Sequence, residues 1–242
     1  HSGSRRRPRA TVRGRETPRA SETRVFGAFG ALGGVAAASA IRARARALAL
    51  TGRTGRGTTV AFTRVEADAT VIRAVAADAA SRLARDVDAD RARDVFASGT
   101  LLDGVLANHT ARACRVVCAP KPSAVIRAFR DDIAPTSSRF FSSVAALLGS
   151  SGQANYAAAN GAIDFIARAR RRAGSDDVAV QYGPWCDVGM ATRREATMRR
   201  LAGMGIGGVR PARGARALET CFARAVVCVA AFDLKALALS AR

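Results

Sequence analysis

The chain predicts an α/β fold, a doubly wound parallel sheet with helices on both faces. Three observations carry that prediction. From Val25 onward, short apolar runs alternate with longer stretches of helical spacing, and strands alternating with helices make parallel βαβ units. A glycine cluster, Gly27 to Gly33, precedes a small-residue helix near the start. The length of 242 residues suits one domain of this class,.

In chain order, residues 1–24 read as a basic, disordered leader rich in Ser, Arg and Pro, and the folded domain is expected over 25–242,. Glu22–Phe26 (ETRVF) overlaps the leader's end as a first strand, short and polar for a central parallel position,. Residues 47–51 (ALALT) are strand-like. Residues 67–85 are Ala-rich with Val and Ile at helical spacing and read as a helix,. A strand follows at 94–98 (DVFAS), ending in Gly99, with an unusually charged approach over 91–96. A helix is expected over 111–130, a strand over 139–144 (RFFSSV) and a strong amphipathic helix over 155–173,. Residues 178–182 (VAVQY) form a strand broken by Gly183-Pro184, and 226–232 (VVCVAAF) closes the set,. No internal repeat is present.

A formal charge of +20 first suggests an anionic partner,. Lys121 and Lys235 are, however, the only lysines, and so complete an Arg-for-Lys bias beside abundant Ala, Gly and Val reflects GC-rich coding. The arginines form no basic stripe interleaved with aromatics, so no nucleic-acid partner is expected. Five cysteines without a paired CxxC set, beside only His1 and His109, supply no metal site,. Residues 25–41 are apolar but short of a membrane span and weighted to Gly and Ala, so no membrane association is expected,. The cysteines suggest a reducing compartment, hence a cytoplasmic location. Because the chain begins at His1 it reads as a piece of a longer protein, and a plastid location stays open.

Two clusters carry chemistry. In GAFGALG, the glycines Gly27, Gly30 and Gly33 permit a tight turn and close approach of a pyrophosphate to a helix N-terminus, although the strict GxGxxG is relaxed to Ala28-x-Gly30-x-x-Gly33,. About twenty residues on, the strand ALALT runs into Gly52-Arg53. A dinucleotide fold reads the ribose there, and the Arg53 fork suits the 2′-phosphate of NADP. The second cluster, SSVAALLGSSGQANYAAAN over 142–160, puts Ser142 or Ser143 at the C-terminal end of a strand, the edge where α/β sheets bind ligands,. Tyr156 and Asn160 share a face of the following helix at i and i+4. A phenol in a cleft can donate a proton to a developing alkoxide when a cation lowers its pKa from about 10. Alone, this spacing fits an ordinary helix equally well.

The same stretch resembles the active-site segment of ketoreductase domains of polyketide synthases and fatty-acid-synthase-like megasynthases, within the short-chain dehydrogenase/reductase superfamily. Upstream, FASGTLLDGVL over 96–106 is similar to the family's HAAGVLDDGVL, and APKP over 119–122 to its RPKV. Downstream, QYGPWCDVGMA over 181–191 is similar to its WGPWxxxGMA loop, and 201–237 to its closing helix and strand. The resemblance implies a Rossmann-type fold and a tetrad of Lys121, Ser143, Tyr156 and Asn160. Ser143 is preferred to Ser142 because it lies thirteen residues before the tyrosine, as in the family. Most short-chain dehydrogenases carry lysine four residues after the tyrosine, whereas these ketoreductases put asparagine there and take lysine from an earlier helix, as here.

The implied reaction is hydride transfer from NADPH to a β-ketoacyl chain tethered through phosphopantetheine to an acyl carrier protein, beside neighbouring synthase domains. Tyr156 is the implied general acid, Ser143 orients the carbonyl, Lys121 favours the phenolate and Asn160 holds the relay geometry. Ala97, Ser98, Gly99 and Pro184 fall where the family lines the nicotinamide and ribose, with Trp185 beside them or simply in the core. Asp103, the last residue of the family's LDD position, and Leu148, where a Trp accompanies the opposite configuration, imply a B-type, D-hydroxy product. Departures gather in the cofactor half: Ala28 and Ala31 replace glycines, Phe26 replaces threonine, and Thr63-Arg64-Val65 stands where CDV is usual. The family's structural half, which precedes the Rossmann half, has no counterpart in these residues. Two other readings stay open, a cofactor-impaired structural domain and an Arg-driven nucleic-acid binder.

Overall fold

The computed structural model describes residues 22–52, 71–76, 92–130, 135, 137–189 and 195–240. Seven strands form the main sheet: β1 Glu22–Phe26, β2 Ala47–Gly52, β3 Val71–Ala76, β4 Ala92–Phe96, β5 Ser137–Ser143, β6 Val178–Tyr182 and β8 Val226–Val229. All are parallel, in the order β3-β2-β1-β4-β5-β6-β8. The order reverses between β1 and β4, and at that switch point the loops after the two strands diverge and leave a crevice. The Rossmann-type doubly wound sheet expected from the sequence is the observed architecture.

Side-chain alternation sends each strand's residues to two cores. On one face Val25, Leu50, Val95, Phe141 and Val180 pack with α1 (Ala31–Arg42) and with α7 (Pro211–Thr220), through Ala36, Ala37 and Leu218. On the other, Phe26, Phe96, Phe140 and Ala179 stand side by side in register. They are covered by α3 (Ala124–Ala128) and α5 (Ala154–Arg172) through Val125, Ile163 and Ala167. A short helix, α4 (Ala145–Leu148), joins β5 to α5. Phe26 stacks on Phe96 with ring centroids 4.4 Å apart, and Phe96 on Phe140 at 5.4 Å. The phenylalanine that replaces a threonine before the glycine loop thus ends an aromatic ladder across the sheet.

The buried charges at the centre of β1 and β4 pair with each other. Arg24 and Asp94 face each other in register, and the guanidinium donates through Nε at 2.6 Å and Nη2 at 3.0 Å to the two carboxylate oxygens. Burial pushes the Asp94 carboxyl up to about 6 against the pull of Arg24. A fork-on-fork pair closes the Arg24 and Asp94 charges on each other,.

Several sequence expectations are corrected. β1 begins at Glu22, so the last residues of the leader belong to the sheet; residues 1–21 lie outside the described residues. The helix expected over 67–85 gives way to β3 at Val71–Ala76, because the run VIRAVA is rich in β-branched residues and pairs with β2 along its whole length,. The strand expected at 94–98 is Ala92–Phe96. The helix expected over 111–130 is broken in three: α2 (Ala111–Cys118), a wide turn over Ala119–Ser123, and α3. Pro122 disfavours helical backbone at the residue before it, and Lys121 leaves the helix at φ −115°, ψ −107°,. The closing strand divides, with β9 (Ala231–Phe232) pairing antiparallel to β7 (Ile206–Gly207). Two further helices, α6 (Glu195–Gly203) and α8 (Leu234–Ser240), have no counterpart among the sequence expectations. No described helix is long and apolar enough to cross a membrane, and no metal-binding cluster occurs among the described residues.

Candidate active site

A cleft of about 1480 Å³ opens along the C-terminal ends of the strands. Its floor is Gly27, Gly30, Ala97, Ser98 and Gly99; its far wall is Lys121, Ser143 and Tyr156, with Pro184 and Trp185 at the end. Both sequence clusters therefore face one space.

The glycine wall is shaped by absent side chains. Gly27 has φ +78°, and a Cβ there would lie 2.4 Å from Ser98 Oγ and 2.9 Å from Ser98 Cα. A Cβ on Gly33 would lie 2.1 Å from the Gly27 carbonyl oxygen. The loop is thereby drawn tightly between β4 and α1, whose N-terminus at Gly30 has no side-chain cap. Uncapped first-turn amides and the positive end of a helix dipole suit a pyrophosphate, so these residues fit a dinucleotide. Gly33 is not at the cleft surface; it lets helix and loop meet. Of the departures noted in the sequence, Ala28 is fully buried and its methyl joins the core, whereas Ala31 lines the cleft. Phe29 also lines it and lies over the end of β2: a Cβ on Gly52 would be 2.4 Å from the Phe29 ring. Arg53, beyond the end of β2, is outside the described residues, as are Thr63, Arg64 and Val65.

The opposite wall is built of hydrogen-bonded side chains. The proline kink turns Lys121 inward, where it is 4% exposed. Its Nζ donates to the Phe141 carbonyl at 2.7 Å and lies 5.7 Å from the Tyr156 ring centroid. Burial lowers the Lys121 ammonium to about 8, with Asp164 pulling back upward. Tyr156 is half-buried at the start of α5. Burial raises its phenol, hydrogen bonding to Ser143 and Asn160 lowers it, and Asp103 raises it. Ser143 Oγ accepts from Ala145 N at 3.1 Å, which holds the hydroxyl at the end of β5. Ser142, one residue earlier, is buried and acts on Asp164. Asn160 is fully buried and stays off the cleft surface; its Nδ2 donates to the Tyr156 carbonyl at 2.8 Å. This bond stiffens the turn that carries the phenol.

Asp103 and Leu148 both line the cleft. Gln153 Nε2 donates to Asp103 Oδ1 at 3.2 Å, Asn155 Nδ2 to the Leu102 carbonyl at 2.9 Å, and Gly104 N to the Gly152 carbonyl at 2.8 Å. These bonds lash the 102–104 loop to the entry of α5. At the cleft's end Val209 N donates to the Pro184 carbonyl at 2.7 Å, fixing the loop after β6. Trp185 is buried against Tyr182 and lies over Gly214, where a Cβ would be 2.2 Å from the indole. It is a core residue and a lining residue at once.

Sequence reasoning missed the lining that α6 and α8 supply. Thr197, Arg200, Leu201 and Met204, from α6 and its end, and Leu234 and Leu237 of α8 also line the cleft. The spacing of 197, 200, 201 and 204 is that of one helical face and was the available signal.

Comparison with known proteins gives the family. The family model described as "KR domain" matches residues 22–187. The polyketide synthase GfsB of Streptomyces halstedii is 40% identical over 54% of this chain and 2% of its own length. A phenolphthiocerol/phthiocerol polyketide synthase of Mycobacterium tuberculosis is 36% identical over 69% of this chain and 8% of its own length. The chain thus spans under a tenth of these relatives. A solved structure of A-type ketoreductases from a modular polyketide synthase superposes with a TM-score of 0.81 at 27% identity, covering 90% of this chain and 49% of that one. A C2-type ketoreductase from a modular polyketide synthase gives 0.78 at 25%, over 91% and 50%. The chain belongs to the KR domain family, the ketoreductases of polyketide synthases.

Proposed function

We propose that the chain reduces a β-ketoacyl thioester to the β-hydroxyacyl thioester, as the catalytic half of a longer reductase. The observation that carries this reading is the enclosure of Lys121, Ser143 and Tyr156 along one cleft with the glycine loop opposite. Gly27 and Gly30 would hold the pyrophosphate of NADPH at the start of α1, with Gly33 letting the loop pack against the helix, Ala97, Ser98, Gly99 and Pro184 along its ribose and nicotinamide, and Arg53 at its 2′-phosphate. Bound there, NADPH supplies the hydride that the carbonyl carbon takes up. Ser143 and Tyr156 orient the carbonyl oxygen by hydrogen bonds, and the Tyr156 phenol gives its proton to that oxygen as charge develops on it. Lys121 stabilises the phenolate left behind, through its charge at the ring, until a solvent proton restores the phenol. Asn160 keeps the tyrosine's turn rigid.

The substrate arrives tethered through phosphopantetheine to an acyl carrier protein, and neighbouring synthase domains supply and remove it. The Asp103 loop, lashed to Gln153, and the small Leu148 support a B-type, D-hydroxy product. The test is NADPH oxidation with a β-ketoacyl thioester, with chiral analysis of the product. An L-hydroxy product would overturn the stereochemical assignment, and no turnover by a chain that binds NADPH would overturn the catalytic one.

One observation favours a second reading, a domain that keeps the fold but binds cofactor poorly. Phe29 lies across the end of β2, where dinucleotide folds hold the adenosine ribose,. This reading requires that saturating NADPH leaves the melting temperature unmoved, whereas a ligand at 100 times its Kd stabilises by about 2.7 kcal/mol.

A further inference from the structure

Arg139 stands in the middle of β5 and is 1% exposed, a place where a charge is costly unless an anion meets it. It shares a sheet face with Phe141 and, across the strand pair, with Val95, so it points to the side of α1 and α7,. One end of its fork is spent. Nη1 donates to the Ser137 hydroxyl at 3.1 Å, the Ser138 carbonyl at 3.0 Å and the Asp176 carbonyl at 2.7 Å. The Phe222 ring, just past α7, lies against the guanidinium, with 4.6 Å from Cζ to the ring centroid,. The other edge, Nε and Nη2, is buried with no hydrogen-bond partner among the described residues. Those are the same two nitrogens through which Arg24 grips both oxygens of Asp94. Arg139 is thus a clamped fork whose two-donor edge is unspent.

A second guanidinium stands beside it. Arg93 lies two residues before Val95 on β4, hence on the same face and diagonal to Arg139,. Its Nε is likewise buried without a partner among the described residues. Burial lowers both groups, Arg139 to about 9, and the charge of Arg93 lowers Arg139 further. The other charges acting there are Arg170 and Arg171 of α5 and Asp176 and Asp177 before β6. Asp177 is already held by Arg170 and the Ser138 amide. No ion pair joins the Asp176 carboxylate to either orphaned arginine among the described residues. Four guanidinium groups therefore face two carboxylates.

We propose that Arg93 and Arg139 form an anion site at the end of the sheet opposite the cleft, taking a small free oxyanion of the phosphate class. The unspent donors are two N–H groups of Arg139 in a fork and one of Arg93, and the surplus positive charge matches a phosphate dianion. The site is distinct from the cleft, since Arg139 lies four residues, about 13 Å along β5, from Ser143. Its cover is Phe222, half-buried on the segment 221–225, which is neither helix nor strand. That segment has to move for an anion to enter, and the enclosure behind it favours a free ion over a phosphorylated chain.

Inorganic phosphate alone is the probe. The melting temperature of the whole chain is read at neutral pH in sodium phosphate and in sodium chloride of equal ionic strength. In wild type it rises saturably with phosphate, by about 5–10 °C at 100 times the Kd, and chloride does not reproduce the rise. Arg139→Met abolishes the phosphate-specific rise. Arg139→Lys keeps the charge but loses the fork, and raises the Kd about tenfold. Should neither variant fold, Arg93→Gln carries the test from a half-buried position, again with the Kd raised about tenfold. Equal melting temperatures of wild type in the two salts overturn the proposal. So does a phosphate rise that survives Arg139→Met, or an unmoved Kd in Arg93→Gln, because the ion then binds elsewhere, as at the glycine loop. The readout uses no reductase activity, so the site and the reductase reading stand or fall separately.

Discussion

The two walls of the cleft are built in opposite ways. The glycine wall depends on atoms that are missing: a methyl on Gly27 or Gly33 would strike Ser98 or the Gly27 carbonyl. The opposite wall depends on atoms that are present and bonded, from Lys121 on the Phe141 carbonyl to Asn160 on the Tyr156 turn. A wall of the first kind tolerates change wherever the new side chain can turn away from the cleft, as Ala28 and Phe26 do into the two cores. A wall of the second kind loses function with one atom. On that asymmetry, changes such as Ala28 and Phe26 are absorbed on the glycine wall, whereas a change to the bonded groups of the opposite wall would not be.

The largest test of the contrast is Tyr156→Phe, which removes one oxygen from the bonded wall. Turnover should fall roughly 10²–10⁴-fold, the span of general acid catalysis, while NADPH protection against unfolding is retained. Equal turnover by wild type and variant would remove the phenol from the mechanism. The mirror experiment adds one atom to the empty wall. In Gly33→Ala the new methyl meets backbone at 2.1 Å, so the loop must shift. NADPH binding should weaken by roughly 10–100-fold, about 1.4–2.8 kcal/mol, with the Lys121 titration unchanged. Calorimetry of both variants reads the two walls separately.

A smaller effect comes from pH. Lys121 is held at about 8, below its ordinary value of about 10.4. Its charge is complete below that pH and lost as pH rises through about 8, so turnover falls on the alkaline side by up to about tenfold per unit. Folding stability moves the other way. The unfolded chain binds the proton more tightly, so between about pH 8 and 10.4 this group's contribution to stability rises with pH. Activity and melting temperature should therefore diverge above pH 8, and parallel curves would detach Lys121 from the activity loss.

How much of this was legible in the sequence follows the same division. The motif over 142–160 was readable because spacing along one strand and one helix carries over directly to space: Ser143 at a strand end, Tyr156 and Asn160 on one face. The parallel sheet was readable from its alternating runs. β3 was not, because VIRAVA fits a helical and an extended pattern alike until its pairing with β2 decides,. The break at Lys121 was written in Pro120 and Pro122, yet the apolar spacing across it ran on unbroken. The buried Asp164 carboxyl and the overlying Phe29 were hidden for a plainer reason: each meets its neighbours, Gln181 and Gly52, only across elements that the fold brings together.

Phe29→Ala is the finest probe, since it removes an atom group from the wall that works by emptiness. The ring covers Gly52 at the end of β2 and lines the cleft, so its loss opens the space in which an adenosine ribose lies in dinucleotide folds. If Phe29 obstructs, NADPH binds more tightly in the variant, by up to about tenfold, and the poor-binding reading gains its cause. If Phe29 instead supports the cofactor as an apolar contact, its removal weakens binding by a similar factor, on the order of 1 kcal/mol for the lost burial. Both outcomes are read by the same titration in wild type and variant, and the sign alone decides. Turnover at saturating NADPH should be equal in the two, because Phe29 stands on the far wall from the phenol; a loss there would mean the walls are coupled and the division drawn between them too sharp.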